Sequence, residues 1–298
     1  MRRDGGWTDR YWDILDQLYW SPQYLGLKSI PQSQWNIDQK TVSVPIDLVN
    51  RSGPLYRRAR KGREYWEYVQ RQEESLNHVL NLALGILPGV VLSELLLEPV
   101  GAAPDPGISG IGREVRTRLG WKPTDNIAQP DGFFISETTV LCLEIKLGAR
   151  TTLDQVVKYA CLMAAEQRLH GRRDQLRLVY LTPDGTLERL EQQIGMPLES
   201  LQRLPVARAA GACGNRLVSR FIASHTEAFE DTLRRMLLHA ASWRDVRAAM
   251  ARSMSGLGNG KGDQTLLRLL SGLDALLQNH PLAHAANPDR PHPTIPSN

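Results

Sequence analysis

The chain has 298 residues, of which 42% are hydrophobic and 23% are charged. These fractions are ordinary for a globular protein, and the length suffices for one large domain or two modest ones with a well-buried core. The formal net charge of +4 is compatible with binding to nucleic acid but is too small to argue for it alone.

Cysteine usage and the N-terminus indicate a protein of the cytoplasm. The three cysteines, Cys142, Cys161 and Cys213, form no CxxC pattern, which argues for buried thiols in a reducing compartment and against a structural zinc site. The N-terminus lacks the apolar segment of a signal peptide, and no stretch approaches about 18 uninterrupted apolar residues. We therefore expect a cytoplasmic protein without a transmembrane helix.

Residues 1–62 are expected to form an N-terminal extension that packs on the rest of the chain. Within it, residues 7–20 predict a short amphipathic helix docked by aromatic side chains. Residues 41–49 alternate like a strand, and the proline among them restricts that strand to a sheet edge. The longest helical pattern of the first half follows at 63–87 and ends at Pro88-Gly89.

The central part of the chain alternates between strand and helix patterns. Residues 90–97 fit a buried strand or a helix, and the Gly/Pro-rich residues 101–112 predict either a mobile lid or a disordered connection. Four strand patterns follow, with a helical pattern between the last two. The strands are predicted at 114–121, on either side of Ser136-Glu137, and at 176–181, and the helix is predicted at 151–170.

Beyond residue 186 the pattern becomes mainly helical. Residues 225–253 predict one or two helices, 256–263 a flexible joint, and QTLLRLLSGLDALLQ a final helix. The Pro-rich residues 281–298 are expected to be disordered. We assign 187–280 to a C-terminal region that could serve as a dimerisation or partner surface.

The order helix, strand, strand, strand, helix, strand predicts an α/β core over residues 63–186. Its strands are nearly continuous apolar runs, which is typical of a sheet covered by helices on both faces. The strands of a hairpin are antiparallel, so we expect a mixed central sheet.

Two acidic residues interrupt the predicted core strands. Asp131 opens one strand and Glu144 lies late in its neighbour, so a hairpin brings both carboxylates to one edge of the sheet. Carboxylates forced together repel unless a cation neutralises them. Lys146 shares the face of Glu144, because strand residues two apart point the same way. The two carboxylates and a backbone carbonyl, here that of Ile145, are ligands that a hard ion such as Mg²⁺ prefers.

A divalent ion at this edge can bind a phosphodiester oxygen and lower the pKa of a bound water, which Lys146 can then orient. The alternative is a buried ion pair, in which Lys146 simply satisfies one of the acids. The next helix favours the first interpretation. Its Gln155 and Tyr159 are spaced i, i+4, so they lie on one helix face and can border the same site.

The set Pro130-Asp131, Glu144-Ile145-Lys146 and Gln155-Val156-Val157-Lys158-Tyr159 resembles the motifs of the PD-(D/E)XK nuclease superfamily. Its QxxxY element is similar to that of the RecB-like branch. The resemblance covers residues 70–185 and implies a restriction-endonuclease-like core, αβββαβ, with helical N- and C-terminal additions. It also implies Mg²⁺-dependent hydrolysis of phosphodiester bonds, with Mn²⁺ able to substitute. Asp131 and Glu144 would be the metal ligands and Lys146 the catalytic lysine.

Many members of this superfamily add an acidic residue from the first core helix. Glu73 lies at the margin of the apolar stripe of residues 63–87, whereas Glu74 falls nearly opposite, so Glu73 is the preferred candidate for a further metal ligand. Glu94 is a third candidate if residues 90–97 form the first core strand.

Basic clusters flank the predicted core. They could follow a phosphate backbone, with salt-dependent affinity and no base readout, and they are equally consistent with solvated faces. The candidates for nucleic-acid contact are Arg57, Arg58, Arg60, Lys61, Arg63, Arg116 and Lys122.

These observations together lead us to expect a metal-dependent deoxyribonuclease. The resemblance suggests a setting in defence or in a mobile element. One alternative is a nucleic-acid-binding or assembly protein that uses the same fold without cleavage, and another is a nuclease that acts on RNA.

Overall fold

The computed structural model describes residues 7, 36–38, 41–43, 73–111, 119, 127–128, 130–146, 151–182 and 185–279. Within these residues the chain is an α/β protein built on a mixed five-stranded sheet with helices on both faces. The predicted class and the predicted mixed sheet are therefore confirmed.

The strands of the large sheet follow one another in space in the order of the chain. The described strands are β1 (Asn36–Asp38), β2 (Thr41–Ser43), β3 (Ser109–Gly110), β4 (Gly132–Ile135), β5 (Thr139–Ile145), β6 (Gln175–Thr182) and β7 (Met236–Ser242). β1 and β2 form a small antiparallel sheet of their own. In the large sheet β3, β4 and β5 pair antiparallel, whereas β6 pairs parallel to β5 and β7 parallel to β6.

Two apolar cores lie on the two faces of this sheet. The described helices are α1 (Glu73–Ile86), α2 (Gly89–Leu96), α3 (Leu153–His170), α4 (Glu188–Ile194), α5 (Leu198–Leu201), α6 (Val206–Ala212), α7 (Arg216–Ser224), α8 (Thr226–Arg235), α9 (Trp243–Ser255) and α10 (Lys261–Asn279). The first core joins the sheet to α1, α2, α9 and α10, and the second joins it to α3 and α4–α8. Successive strand residues enter opposite cores, as the pleat of a strand requires.

Helix α1 carries the predicted apolar stripe into the first core, since Leu76, Val79, Leu80, Ala83 and Leu87 are all buried. The ten residues that were predicted to precede it in the same helix lie outside the described residues. The ambiguous segment after it is a helix, α2, which begins directly after Pro88. A proline is tolerated at a helix start because the first N–H groups of a helix have no intrahelical partner.

Residues 101–111 are an ordered loop that contacts the β4–β5 turn, which contradicts the disordered connection of the sequence prediction and leaves the mobile lid a prediction. Asp105 is buried there, and its carboxylate accepts hydrogen bonds from the hydroxyls of Ser136, Thr138 and Thr139. The same loop also packs closely against the start of α2. A Cβ atom on Gly89 would lie 2.2 Å from the carbonyl oxygen of Pro106.

The prediction that residues 225–253 are wholly helical is wrong for its central part. Met236–Ser242 forms β7, and each of its residues is in register with a residue of β6. The sequence MLLHAAS suits a helix by local propensity, so the pairing with β6 overrides that propensity. Ser242 then starts α9 with a capping box that involves Asp245. The C-terminal region therefore supplies the last strand of the central sheet.

The N-terminal segment is described at Trp7, which is helical and half-buried. Its indole Nε1 donates to the carbonyl oxygen of Leu269 over 2.9 Å. A Cβ atom on Gly272 would lie 2.3 Å from this Nε1, so the indole fits because residue 272 has no side chain. The predicted helix at 8–20, most of the predicted strand at 114–121 and the tail at 281–298 lie outside the described residues.

All three cysteines are buried free thiols, as predicted. Among the described helices, none is both long enough and apolar enough to cross a membrane.

Candidate functional site

Strand register brings Asp131 and Glu144 together. Gly132 pairs with Leu143, so the residue before β4 lies opposite Glu144 near the end of β5. Oδ2 of Asp131 accepts a hydrogen bond from the backbone N–H of Ile145 over 2.7 Å. The hairpin thus brings Asp131 and Glu144 to the same end of the sheet.

Glu144 receives a hydrogen bond on each of its carboxylate oxygens. Nζ of Lys146 donates to Oε1 over 2.6 Å, and the Tyr159 hydroxyl donates to Oε2. Both Glu144 and Lys146 are buried, so this ion pair is shielded from water. Burial, and next the negative charge of Glu144, raise the pKa of Tyr159 far above its ordinary value. The phenol therefore keeps its proton and acts as a neutral donor.

The two residues of the QxxxY element differ in what they contact. Tyr159 reaches Glu144 from α3, whereas the side-chain Oε1 of Gln155 is buried and has no hydrogen-bond partner in the described part of the chain. Gln155 lies one helical turn before Tyr159, in the first turn of α3, and its backbone N–H donates to the Thr152 hydroxyl over 3.3 Å. The structure thus joins Tyr159 to Glu144, whereas no described residue pairs with the amide oxygen of Gln155.

The side chains of the second core that lie next to Glu144 are uncharged. Tyr180 is the register partner of Glu144 on β6 and is fully buried. Its hydroxyl and that of Thr151 contact each other too loosely for a hydrogen bond of normal geometry. Burial, and next the charge of Glu144, raise the pKa values of Tyr180 and Cys142, so both groups stay neutral. Cys142 is therefore a packing residue and not an activated nucleophile.

The three helical glutamates that were candidates for a further ligand have different outcomes. Glu94 lies on α2 and accepts a hydrogen bond from the Ser253 hydroxyl of α9, so it contributes to packing between helices. The side chains of Glu73 and Glu74, at the start of α1, lie outside what the structure describes. Among the side chains of α1 that the structure describes, Asn77 reaches the site, and its Nδ2 donates to Oδ1 of Asp131 over 2.6 Å.

Sequence reasoning missed Asn77 because it searched the first helix for an acidic group. One signal was available, since Asn77 is spaced i, i+4 from Glu73 and therefore shares its helix face. The candidate nucleic-acid contacts, from Arg57 to Lys122, all lie outside the described residues.

The charges and donor types at this site fit a hard divalent cation. Asp131 and Glu144 supply two carboxylates, and Lys146 forms an ion pair with Glu144. Oδ1 of Asn77 adds a buried neutral oxygen without a hydrogen-bond partner among the described residues. Carboxylate and amide oxygens are the ligands that Mg²⁺ and Mn²⁺ prefer. Nowhere in the described ranges do three or more His, Cys, Asp or Glu side chains gather as a cation site.

Fold and site together define a class: an α/β protein with a mixed sheet and a carboxylate pair at the end of its central hairpin. No family model, curated protein or solved structure matches the chain.

Proposed function

We propose that the protein is a Mg²⁺-dependent nuclease that hydrolyses phosphodiester bonds, with DNA as its substrate and a restriction-endonuclease-like core. The observation that carries this proposal is the convergence of Asp131, Glu144, Lys146 and Tyr159 at one end of the sheet. These residues come from the three sequence elements that resemble PD-(D/E)XK motifs, and they meet through strand register and helix packing.

The energetic cost of this arrangement supports a functional role. A buried carboxylate is expensive unless it is paired, and a second carboxylate beside it adds repulsion. A fold that needed only stability would be better served by apolar residues of similar volume, since replacing buried ion pairs in that way is often neutral or stabilising. Charged side chains gathered in a buried cluster are frequent at functional sites.

The site's own residues would hold and orient the reactants. Asp131, Glu144 and the carbonyl of Ile145 would hold Mg²⁺ or Mn²⁺, which when bound would offset phosphate charge and lower the pKa of a bound water. The backbone N–H of Ile145 and the phenol of Tyr159 fix the two carboxylates. Lys146 would donate its N–H groups to a phosphate oxygen or to the attacking water once Glu144 is shared with the cation.

A second candidate function rests on the same ion pair. Because Lys146 is buried and forms an ion pair with Glu144, the pair is also consistent with a nucleic-acid-binding or assembly protein that does not cleave. A homodimer or partner complex through the C-terminal helices is part of this alternative. The apolar residues Leu270, Leu273 and Leu277 of α10 are buried within the chain, so such a contact would use its other faces.

The deciding experiment is cleavage of supercoiled plasmid by the full chain in Mg²⁺, in Mn²⁺ and in EDTA. Asp131→Asn and Lys146→Met should each lose about a hundredfold or more in rate. Lys158→Met is the matched control, because Lys158 also pairs with an acid at 2.6 Å but on the half-exposed surface of α3. Its activity should be unchanged.

Two results would oppose the proposal. Clean wild-type protein that binds DNA without cutting it in either metal would favour the non-cleaving alternative. Metal-dependent cutting that Asp131→Asn and Lys146→Met retain would place the chemistry elsewhere. A parallel assay on single-stranded DNA, duplex DNA and RNA would decide the substrate class.

A further inference from the structure

We propose that Asn77 is a positioning residue that holds Asp131 in the geometry needed to bind a divalent cation. The proposal rests on the proposed function. It assigns a role to a residue that belongs to none of the motifs recognised in the sequence.

The two carboxylates of the site are held in the same way from opposite layers of the fold. Each accepts one hydrogen bond from the end of β5 or the residue after it: Asp131 from the Ile145 backbone N–H and Glu144 from the Lys146 ammonium. Each accepts a second from a helix: Asp131 from Asn77 on α1, and Glu144 from Tyr159 on α3. Asn77 thus does for Asp131 what Tyr159 does for Glu144: each donates a hydrogen bond from a helix, Asn77 on the side of the first core and Tyr159 on the side of the second.

Asp131 needs this second contact because it lies outside regular structure. It precedes β4, and the Ile145 N–H fixes only one of its carboxylate oxygens. A donor on the other oxygen fixes the orientation of the carboxylate plane. Rigid support of this kind is what keeps ligands within the narrow geometric tolerance of a metal site.

The chemistry of asparagine suits this task. Its amide N–H donates at 2.6 Å and carries no net charge, so it orients Asp131 without neutralising the charge that a cation requires. A lysine at this position would compete with the cation. The amide is also rigidly presented, because its helix neighbours Leu76, Val79 and Leu80 are buried in the first core.

Oδ1 of Asn77 gives an independent indication that the site accepts a ligand. This oxygen is buried and has no hydrogen-bond partner among the described residues. Leaving a buried acceptor unpaired is costly, so such an atom in a site calls for a water molecule or an ion as its partner. A cation-bound water would satisfy it.

The test is direct titration of the full chain with Mn²⁺ by calorimetry, for the wild type, Asn77→Leu and Asn77→Asp. Asn77→Leu keeps the shape and removes the donor, and Asn77→Asp replaces the donor with a repelling acceptor. Both should bind Mn²⁺ about 10- to 100-fold more weakly than the wild type, the usual effect of removing a group that orients a metal ligand. Asn81→Asp is the matched control, because it makes the same change one turn along α1 at an exposed position. Its Mn²⁺ affinity should equal that of the wild type.

Urea unfolding of the metal-free variants separates positioning from a purely structural role. Loss of unfolding free energy with unchanged Mn²⁺ affinity in the folded protein would overturn the inference. Mn²⁺ affinity in Asn77→Asp equal to or above that of the wild type would also overturn it. Wild-type protein that binds no Mn²⁺ would overturn the proposed function as well, so the two failures are distinguishable.

Discussion

The phenol of Tyr159 and the carboxylate of Glu144, 15 positions apart in sequence, form a buried hydrogen bond between helix α3 and strand β5. It occupies the oxygen of Glu144 that Lys146 leaves open, so the carboxylate is held by two donors at once. The second core around these groups is otherwise apolar, with Val156, Ala160 and Leu178 fully buried. A hydrogen bond to a charged group in such surroundings stabilises the fold and also fixes the carboxylate.

Tyr159→Phe should therefore lower the free energy of unfolding by about 1.5–3 kcal/mol, the usual contribution of a hydrogen bond to a charged group. Urea unfolding followed by far-UV circular dichroism measures this. The variant should also bind Mn²⁺ more weakly, because Glu144 loses its second anchor.

Tyr180→Phe is the matched comparison for Tyr159→Phe. Tyr180 is equally buried, but its hydroxyl contacts only the neutral hydroxyl of Thr151, too loosely for a hydrogen bond of normal geometry. Its removal should change the free energy of unfolding by less than about 0.5 kcal/mol or stabilise the protein. Equal losses of unfolding free energy in the two variants would contradict a stabilising hydrogen bond from Tyr159 to Glu144.

Lys146→Met should lower the free energy of unfolding by about 3–5 kcal/mol, because it leaves a buried, unpaired carboxylate. Mg²⁺ should stabilise this variant more than the wild type, since a bound cation would replace the lost positive charge and binding to the native state adds to stability. Thermal unfolding in Mg²⁺ and in EDTA provides the measurement.

The double variant Lys146→Met/Glu144→Gln should regain much of the unfolding free energy that Lys146→Met loses, because residues in direct contact are strongly coupled. A double-mutant cycle measures this coupling. The half-exposed pair of Asp154 and Lys158 is the reference, with an expected contribution of about 0.3–0.5 kcal/mol. Additive losses at Lys146 and Glu144 would show that the ion pair is not formed.

Asp105 should make the protein sensitive to acid. Burial alone would raise the pKa of Asp105, but the hydroxyl hydrogen bonds from Ser136, Thr139 and Thr138 and the Gly107 N–H outweigh burial and hold it below 3.8. A carboxyl whose pKa is lower in the folded than in the unfolded state stabilises the fold at neutral pH. That stabilisation disappears as the pH falls from about 4 through the folded-state pKa.

The loss of unfolding free energy in Asp105→Asn should accordingly be larger at pH 7 than at pH 3. Urea unfolding of wild type and variant at the two pH values measures the difference. A loss that is independent of pH would mean that the three hydroxyls do not favour the ionised carboxylate.

Gly272→Ala should destabilise the protein through the N-terminal segment. The new methyl group would lie 2.3 Å from the Trp7 indole nitrogen and would displace it from the Leu269 carbonyl. The expected loss is about 1–3 kcal/mol, as for other substitutions that overpack a contact. In the background of Trp7→Ala the same substitution should cost nothing, and a loss that persisted there would place the clash elsewhere.

The local sequence pattern was sufficient to predict structure that depends on a single helix or hairpin. The period of apolar residues predicted α1, α3 and α10, and the hairpin around Ser136-Glu137 gave the correct antiparallel pairing. It failed at β7, where residues with good helical propensity pair with β6 instead. Strand pairing is a tertiary event, so a seven-residue run such as Met236–Ser242 carries no local mark of it.

The sequence by itself determined that Asp131, Glu144 and Lys146 would share one end of a hairpin, because side-chain alternation and antiparallel register follow from strand geometry alone. Only the tertiary structure decided which helices hold them. Asn77 donates a hydrogen bond to Asp131, which lies 54 positions further along the chain. Glu94 was also a candidate ligand from the sequence, but it accepts a hydrogen bond from Ser253 instead. The reason is physical: a helix pattern specifies which face is buried, but the packing of whole layers decides which polar group on the margin of that face meets the sheet.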